Sequence, residues 1–520
     1  MRFFLYCVLL LLLPAGAQAA WHEASTSHFL IYSEEDPATL RAFAEKLERY
    51  DSAMRVMHRV PDTPLGRANR VTIFVVPGIA AVQKLLPGSS NTVAGFYVAH
   101  AQGPIAVTPR RTGEGGRTDL QAETVLLHEY AHHFMLQNFA EAFPAWLTEG
   151  FAEFNATARF EKDGAVGFGA PPLYRAETMF SWDALPVEDL LTRDPRTLSD
   201  VQTDSLYGRG WLLTHYLKMQ KSRAGQLGAY VAALNGGKTS VEAGRGAFGD
   251  LKQLNRELTA YIRQRRLPYT RVEPVAIKVG PIAVRPLNSA EAAIMNVKMV
   301  SKVGVTPARA KALVPDARLA AQPYPNDPFV QAALAEAEFD AGNLNEAETA
   351  ADRALAVSPK HVDALIYKGR TRMARAIAAK KTDAATWSDV RRWLVAANRA
   401  DPDDPEPLML FYESFAEQGA APTKGAVAGL VRAHDLAPQD DGLRLTVGRV
   451  YLTQRKADQA RAALAPIAYA PHGGKQSQLA AAVIAKIGEG GAEVALKEWE
   501  RLAEEAKKQA TGARSDRAGR

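Results

Sequence analysis

Two histidines four residues apart, with a glutamate beside the first, are the part of this sequence best equipped for chemistry. They stand in His128-Glu129-Tyr130-Ala131-His132, and Glu149 follows in the run Trp146-Leu147-Thr148-Glu149-Gly150-Phe151-Ala152-Glu153-Phe154. Four residues make about one helical turn, so His128 and His132 leave one face of a helix and can share a metal ion. Glu129 lies one step round, beside any water that such a metal holds, where a general base is needed. Two imidazoles leave a zinc ion short of ligands, and Glu149 is the candidate third. A fourth position left open for water is what separates a catalytic zinc from a structural one. The bland alternative is an ordinary amphipathic helix whose histidines are solvated or packed in the core.

The elements that must position these residues follow from periodicity. Leu120 to Asn138 reads as one helix, with Val125, Leu126, Tyr130, Phe134 and Leu136 as its apolar positions. Pro144 breaks that pattern and opens a second helix through Glu149 to about Thr157, with Glu149 and Glu153 on one face. Upstream, strands at Ser27–Ser33, Val71–Val76, Gly95–Val98 and Pro104–Val107 alternate with helices over 37–57 and 79–86, which predicts a small α/β unit. Residues 104–108 are the candidate edge strand for an extended substrate. The basic, glycine-rich stretch 110–117 leads toward the site as a connector or a lid. His133 points about 100° away from the ligand face, which excludes it. His215, inside an apolar helix, reads as structural.

An HExxH helix completed by a glutamate on the next helix resembles the gluzincin metallopeptidases. The phrase WLTEGFAEF resembles the peptidase-MA-like bacterial branch of that clan. The resemblance implies an α/β zincin-like metallopeptidase domain, with His128, His132 and Glu149 as zinc ligands and Glu129 as base and proton shuttle. It also implies that Glu153 accepts the free ring N–H of a ligand histidine, fixing its orientation. Thermolysin-like enzymes usually carry aspartate there, so Glu153 is a departure. Tyr207-Gly208-Arg209-Gly210 is similar to the Tyr-x-Lys-Gly element that supplies an oxyanion donor. That marks Tyr207, expected at a helix start, and more weakly Arg209. The 16 residues between His132 and Glu149 are fewer than in the aminopeptidase branch, which argues against carrying over its substrate machinery.

A chain of 520 residues is too long for one core, so two or three domains are expected. The net charge of +6 is spread out, and basic residues are not interleaved with stacking aromatics, which gives no case for nucleic-acid binding. Arg2, the apolar run Phe3 to Leu13 and Ala17-Gln18-Ala19 form a signal peptide over 1–19, too short for a comfortable membrane span. Cys7, the one cysteine, leaves with it. The mature chain then has neither disulfides nor cysteine catalysis, which suits a periplasmic or secreted protein. The metallopeptidase-like domain is expected over 20–266, a proline- and valine-rich linker over 267–287, and no interior stretch is apolar enough to span a bilayer.

Beyond the linker the rhythm changes. Pro325, Pro359, Pro402, Pro438 and Pro471 recur at intervals of 34, 43, 36 and 33 residues. This resembles tetratricopeptide (TPR) repeats, whose period is about 34 residues with proline closing each helix pair. An all-α TPR-like solenoid is expected over 288–506, its longest interval explained by an insertion near Lys380–Lys381, and a disordered tail over 507–520. A solenoid offers a concave surface, so its default role is to hold a protein or peptide partner. Two functions compete. One is an exported zinc endopeptidase whose repeats recruit substrate or a partner. The other is a periplasmic scaffold carrying an inactive metallopeptidase domain. Retention of Glu129 favours the first, and hydrolysis of a non-peptide bond by the same chemistry is a third reading.

Overall fold

The computed structural model describes residues 20–86, 95–110, 120–181, 183–470 and 473–518. The expected signal peptide, Cys7, Pro471 and most of the 110–117 segment lie outside the described residues. Among the described residues, no helix is long and apolar enough to cross a membrane.

The α/β unit begins with strands β1 (His22–Ser25) and β2 (Phe29–Ser33), then helix α1 (Pro37–His58), strand β3 (Val71–Val76) and helix α2 (Ile79–Leu85). Strands β4 (Phe96–Val98) and β5 (Ile105–Pro109) lead into helices α3 (Ala122–Asn138) and α4 (Ala145–Ala156). Helix α1 starts where its chemistry permits. Asp36 accepts hydrogen bonds from the Ala38 and Thr39 amides, and Pro37 occupies the first turn. Two short strands, β6 (Arg159–Phe160) and β7 (Val166–Phe168), precede helices α5 (Ala176–Met179), α6 (Val187–Thr192) and α7 (Asp200–Met219). Helices α8 (Gln226–Asn235), α9 (Ser240–Phe248) and α10 (Leu251–Ile262) follow.

The expected linker is not a free connector. It carries β8 (Thr270–Val272), which pairs with β7, and β9 (Ala283–Pro286), which pairs with β1. The α/β unit therefore runs on through Pro286. β9 covers an edge that β1 would otherwise leave open, and buried strand edges are costly to leave unpaired.

The main sheet has the order β4-β5-β3-β2-β1-β9, with β2, β3 and β5 parallel. Gly103, at φ 112°, lies in the turn that folds β5 back on β4. β5 is thus an interior strand, and the edge expected at 104–108 belongs to β4. One sheet face packs on α1 and α3 through Phe29, Ile31, Ile73, Leu47, Tyr130 and Phe134. Burial on both faces explains why β3 reads as an unbroken apolar run.

What covers the second face is the helical region. Helix α11 (Ser289–Val303) lays Met295, Met299 and Val303 against Tyr32, Phe74 and Val107. Helices then alternate in pairs: α11 with α12 (Pro307–Ala321), α13 (Pro328–Asp340) with α14 (Leu344–Val357), α15 (Val362–Ala378) with α16 (Ala384–Ala400), α17 (Pro405–Gln418) with α18 (Lys424–Leu436), and α19 (Asp441–Thr453) with α20 (Ala457–Ala468). Pro325, Pro359, Pro402 and Pro438 each fall between pairs, where the missing N–H and fixed φ stop a helix. This is a TPR-like all-α solenoid. The long interval comes from lengthening α15 and α16 to 17 residues each, rather than from a loop insertion alone. Helix α21 (Lys475–Ala518) breaks at Gly490 and Gly491 and then continues to Ala518, across the described part of the segment expected to be a disordered tail. Its Lys, Glu, Arg and Ala residues are strong helix formers, and Arg501 pairs with Glu505 one turn on.

The two regions grip each other. The Ala101 amide donates to Asp440 at 2.7 Å, and the Gln102 side chain to Glu406 at 3.0 Å. Ala101 packs among Leu430, Ala433 and Leu443 of the solenoid.

Candidate metal centre

Helices α3 and α4 bring three donor side chains together. The Nε2 atoms of His128 and His132 are 3.0 Å apart, and Glu149 Oε2 lies 3.2 Å from the first and 3.5 Å from the second. Ligands on a tetrahedral zinc at roughly 2.0–2.1 Å sit roughly 3.3 Å from one another, so the donor set fits such an ion in both chemistry and spacing. Among the described residues, no other cluster of His, Cys, Asp or Glu converges in this way. Glu149 is fully buried. Burial by itself lowers the His128 pKa. The hydrogen bond to Glu149 and the charges of Glu153 and Glu129 outweigh it and push the ring up to about 9. The site is built to hold positive charge.

The approach of α4 to its neighbours depends on glycine. A β-carbon at Gly210 of α7 would lie 2.6 Å from the Trp146 carbonyl oxygen, and one at Gly150 would collide with the Gly210 carbonyl. The two helices therefore meet backbone to backbone beside Glu149. Gly150→Ala is expected to cost about 1–3 kcal/mol through overpacking and to weaken metal affinity by displacing Glu149. Thermal unfolding and zinc titration of the variant check both effects.

Glu153 sits behind His128, with its Oε1 3.7 Å from the ring Nδ1, close enough to orient the ring electrostatically but too long for a hydrogen bond. Three donors hold this buried carboxylate in place. Tyr174 Oη donates to it at 2.5 Å, and Arg175 Nε and Nη2 donate at 3.1 and 3.0 Å. Arg175 also pairs with Asp204. Its own burial lowers the guanidinium pKa, but the fields of Glu153 and Asp204 reverse that and raise it. Sequence reasoning did not find Tyr174, Arg175 or Asp204, because a single 3-10 turn (Leu173–Arg175) is too short to show periodicity and nothing local ties Asp204 of α7 to it. Glu153→Gln is expected to lower metal affinity about 10–100-fold, the usual effect of losing a partner behind a ligand histidine. Competition with a chelator reads this directly.

Tyr207 lies inside α7, not at its start. A capping box of Ser199 and Gln202 begins that helix two turns earlier. Its ring stacks on His128 at 5.8 Å between centroids, and Arg175 covers it at 4.6 Å. Burial raises its pKa, so it is a neutral hydroxyl donor. Tyr207 and Glu129 line the same cavity, of about 350 Å³, together with His128, Thr124 and Arg175. Arg209 faces elsewhere and donates to the Leu185 carbonyl and to Asn255. His133 is held by Tyr97 Oη at 2.8 Å, and His215 by Tyr261 and the Pro268 carbonyl. Behind α3, Tyr130 Oη donates to Asp51 at 2.6 Å and Arg55 pairs with Asp51, fixing the HExxH helix to α1.

No family model and no curated protein matches the chain. Solved structures similar to it include TTC0263, a thermophilic TPR protein in Thermus thermophilus, at a TM-score of 0.31 and 19% identity over 37% of this chain and 97% of that one. MamA from Desulfovibrio magneticus RS-1 is similar at 0.25 and 16%, over 34% and 92%. Pseudomonas aeruginosa PilF is similar at 0.32 and 14%, over 45% and 100%. At these scores the repeat architecture rests on the helix pairs themselves.

Proposed function

We propose that the chain is an exported zinc-dependent endopeptidase of gluzincin type, with zinc held by His128, His132 and Glu149. The observation that carries the reading is the convergence of these donors at 3.0–3.5 Å, with Glu129 and Tyr207 on one adjoining cavity. When bound, zinc acts as a Lewis acid toward a carbonyl and lowers the pKa of water at the site toward about 7. Glu129 takes a proton from the attacking water and passes it to the departing amine. The Tyr207 hydroxyl donates to the carbonyl oxygen as negative charge develops there. Glu153, clamped by Tyr174 and Arg175, keeps the His128 ring turned to the site.

The TPR-like solenoid supports recruitment of a protein substrate or partner, since stacked helix pairs present extended binding surfaces. The same feature favours the second reading, a periplasmic scaffold with an inactive peptidase domain. Metal analysis of the mature chain with a broad peptide-library digest separates them. About one zinc per chain with cleavage supports the enzyme, and zinc without cleavage supports the scaffold. Tyr207→Phe is expected to lower turnover on the order of a hundredfold with metal content unchanged, because one oxyanion donor is lost. Parallel kinetics and metal analysis check this.

A further inference from the structure

A second cavity, of about 560 Å³, opens on the other side of the metal centre, and two distant parts of the chain build it. His132 and Glu149 form its inner end, and Leu136 and Phe139 of the α3 C-terminal region its floor. Its outer wall comes from the solenoid: Gln439 ahead of α19, and Pro466 and Ala470 at the end of α20. The volume is that of a small-ligand site, and Met135, Leu136, Phe139, Phe143 and Pro466 give it apolar surface among polar groups that include Glu141, Thr148 and Lys475. Gln439 is one of those polar groups. It is 3% exposed, and its side-chain carbonyl oxygen has no hydrogen-bond partner among the described residues. A buried acceptor without a partner is unfavourable, and this one is closed to solvent in the present arrangement.

We propose that this chamber binds an apolar side chain of an extended peptide whose scissile carbonyl lies at His128, His132 and Glu149, so that the solenoid forms one wall of the substrate cleft. The proposal rests on the metallopeptidase reading and adds the substrate class. Continuity is the main argument. Two of the three metal-site side chains also line the chamber, so a chain seated at the metal has its neighbouring residues there.

The test uses the full-length mature chain carrying Glu129→Gln, so that binding is measured without turnover. End-blocked hexapeptides differing only in one central residue, Leu, Phe or Asp, are titrated by calorimetry with and without zinc. The Leu and Phe peptides are expected to bind at least tenfold more tightly than the Asp peptide. Ala470→Trp fills the outer wall and Leu136→Gln makes the floor polar. Each is expected to remove that preference while zinc content and thermal unfolding stay unchanged. If Ala470→Trp fails to fold, Leu136→Gln decides. Undiminished preference in a folded variant overturns the chamber. In chains with native Glu129, a library digest separates the two readings. Cleavage with unaltered preference in Ala470→Trp overturns the chamber alone. Apolar-peptide binding that depends on Ala470, in a chain that never cleaves, supports the chamber and overturns the peptidase.

Discussion

Glu129→Gln is expected to abolish peptide hydrolysis while the mature chain still binds one zinc. Glu129 lines the cavity beside His128 but is not one of the three converging donors. Glutamine keeps the size and polarity of the side chain and removes its basicity. A positioned general acid–base group contributes roughly 10²–10⁴-fold, and here one group serves both proton transfers, so the loss lies at the upper end or beyond. The measurement is kcat/KM on the best library peptide, with zinc determined on the same sample. Full activity in the zinc-loaded variant would falsify the assignment of Glu129 and with it the proposed chemistry.

His132→Ala carries the second large effect, on the metal itself. Two of three donors remain, and a histidine–glutamate pair alone leaves a zinc ion short of protein ligands. Zinc content is expected to fall from about one per chain to none after dialysis against a weak chelator. Stability follows by linkage. A metal present at about 100 times its Kd adds about 2.7 kcal/mol to the folded state, so a strong chelator lowers the Tm of the parent chain and leaves the variant's Tm unmoved. A variant that keeps stoichiometric zinc and the same response to chelator removes His132 from the ligand set. Because His132 also lines the chamber shared with the solenoid, this substitution does not serve as a test of that chamber.

Much of the site was legible in one dimension because helical geometry is local. Backbone bonds spanning four residues decide that His128 and His132 share a face, and the α3 helix appears as Ala122–Asn138 where periodicity placed it. The same holds for the repeat rhythm, since proline stops a helix wherever it falls, and for β3, whose apolar run declares a strand buried on both sides.

Tertiary structure alone decided the rest, and the reason is that distant faces find each other by shape. Glu149 reaches the histidines because Gly150 and Gly210 let α4 and α7 touch at their backbones, a fit between residues 60 positions apart. Glu153 is held by Tyr174 and Arg175 from a single 3-10 turn, too short to show a period in the sequence. The edge strand is β4 rather than β5 because pairing partners, not strand propensity, determine which strand is left outermost. The expected linker became sheet because β1 had an open edge to cover, and α11 covers the sheet face opposite α1 and α3. Periodicity marks a segment's apolar face, but only the assembled chain decides what that face meets.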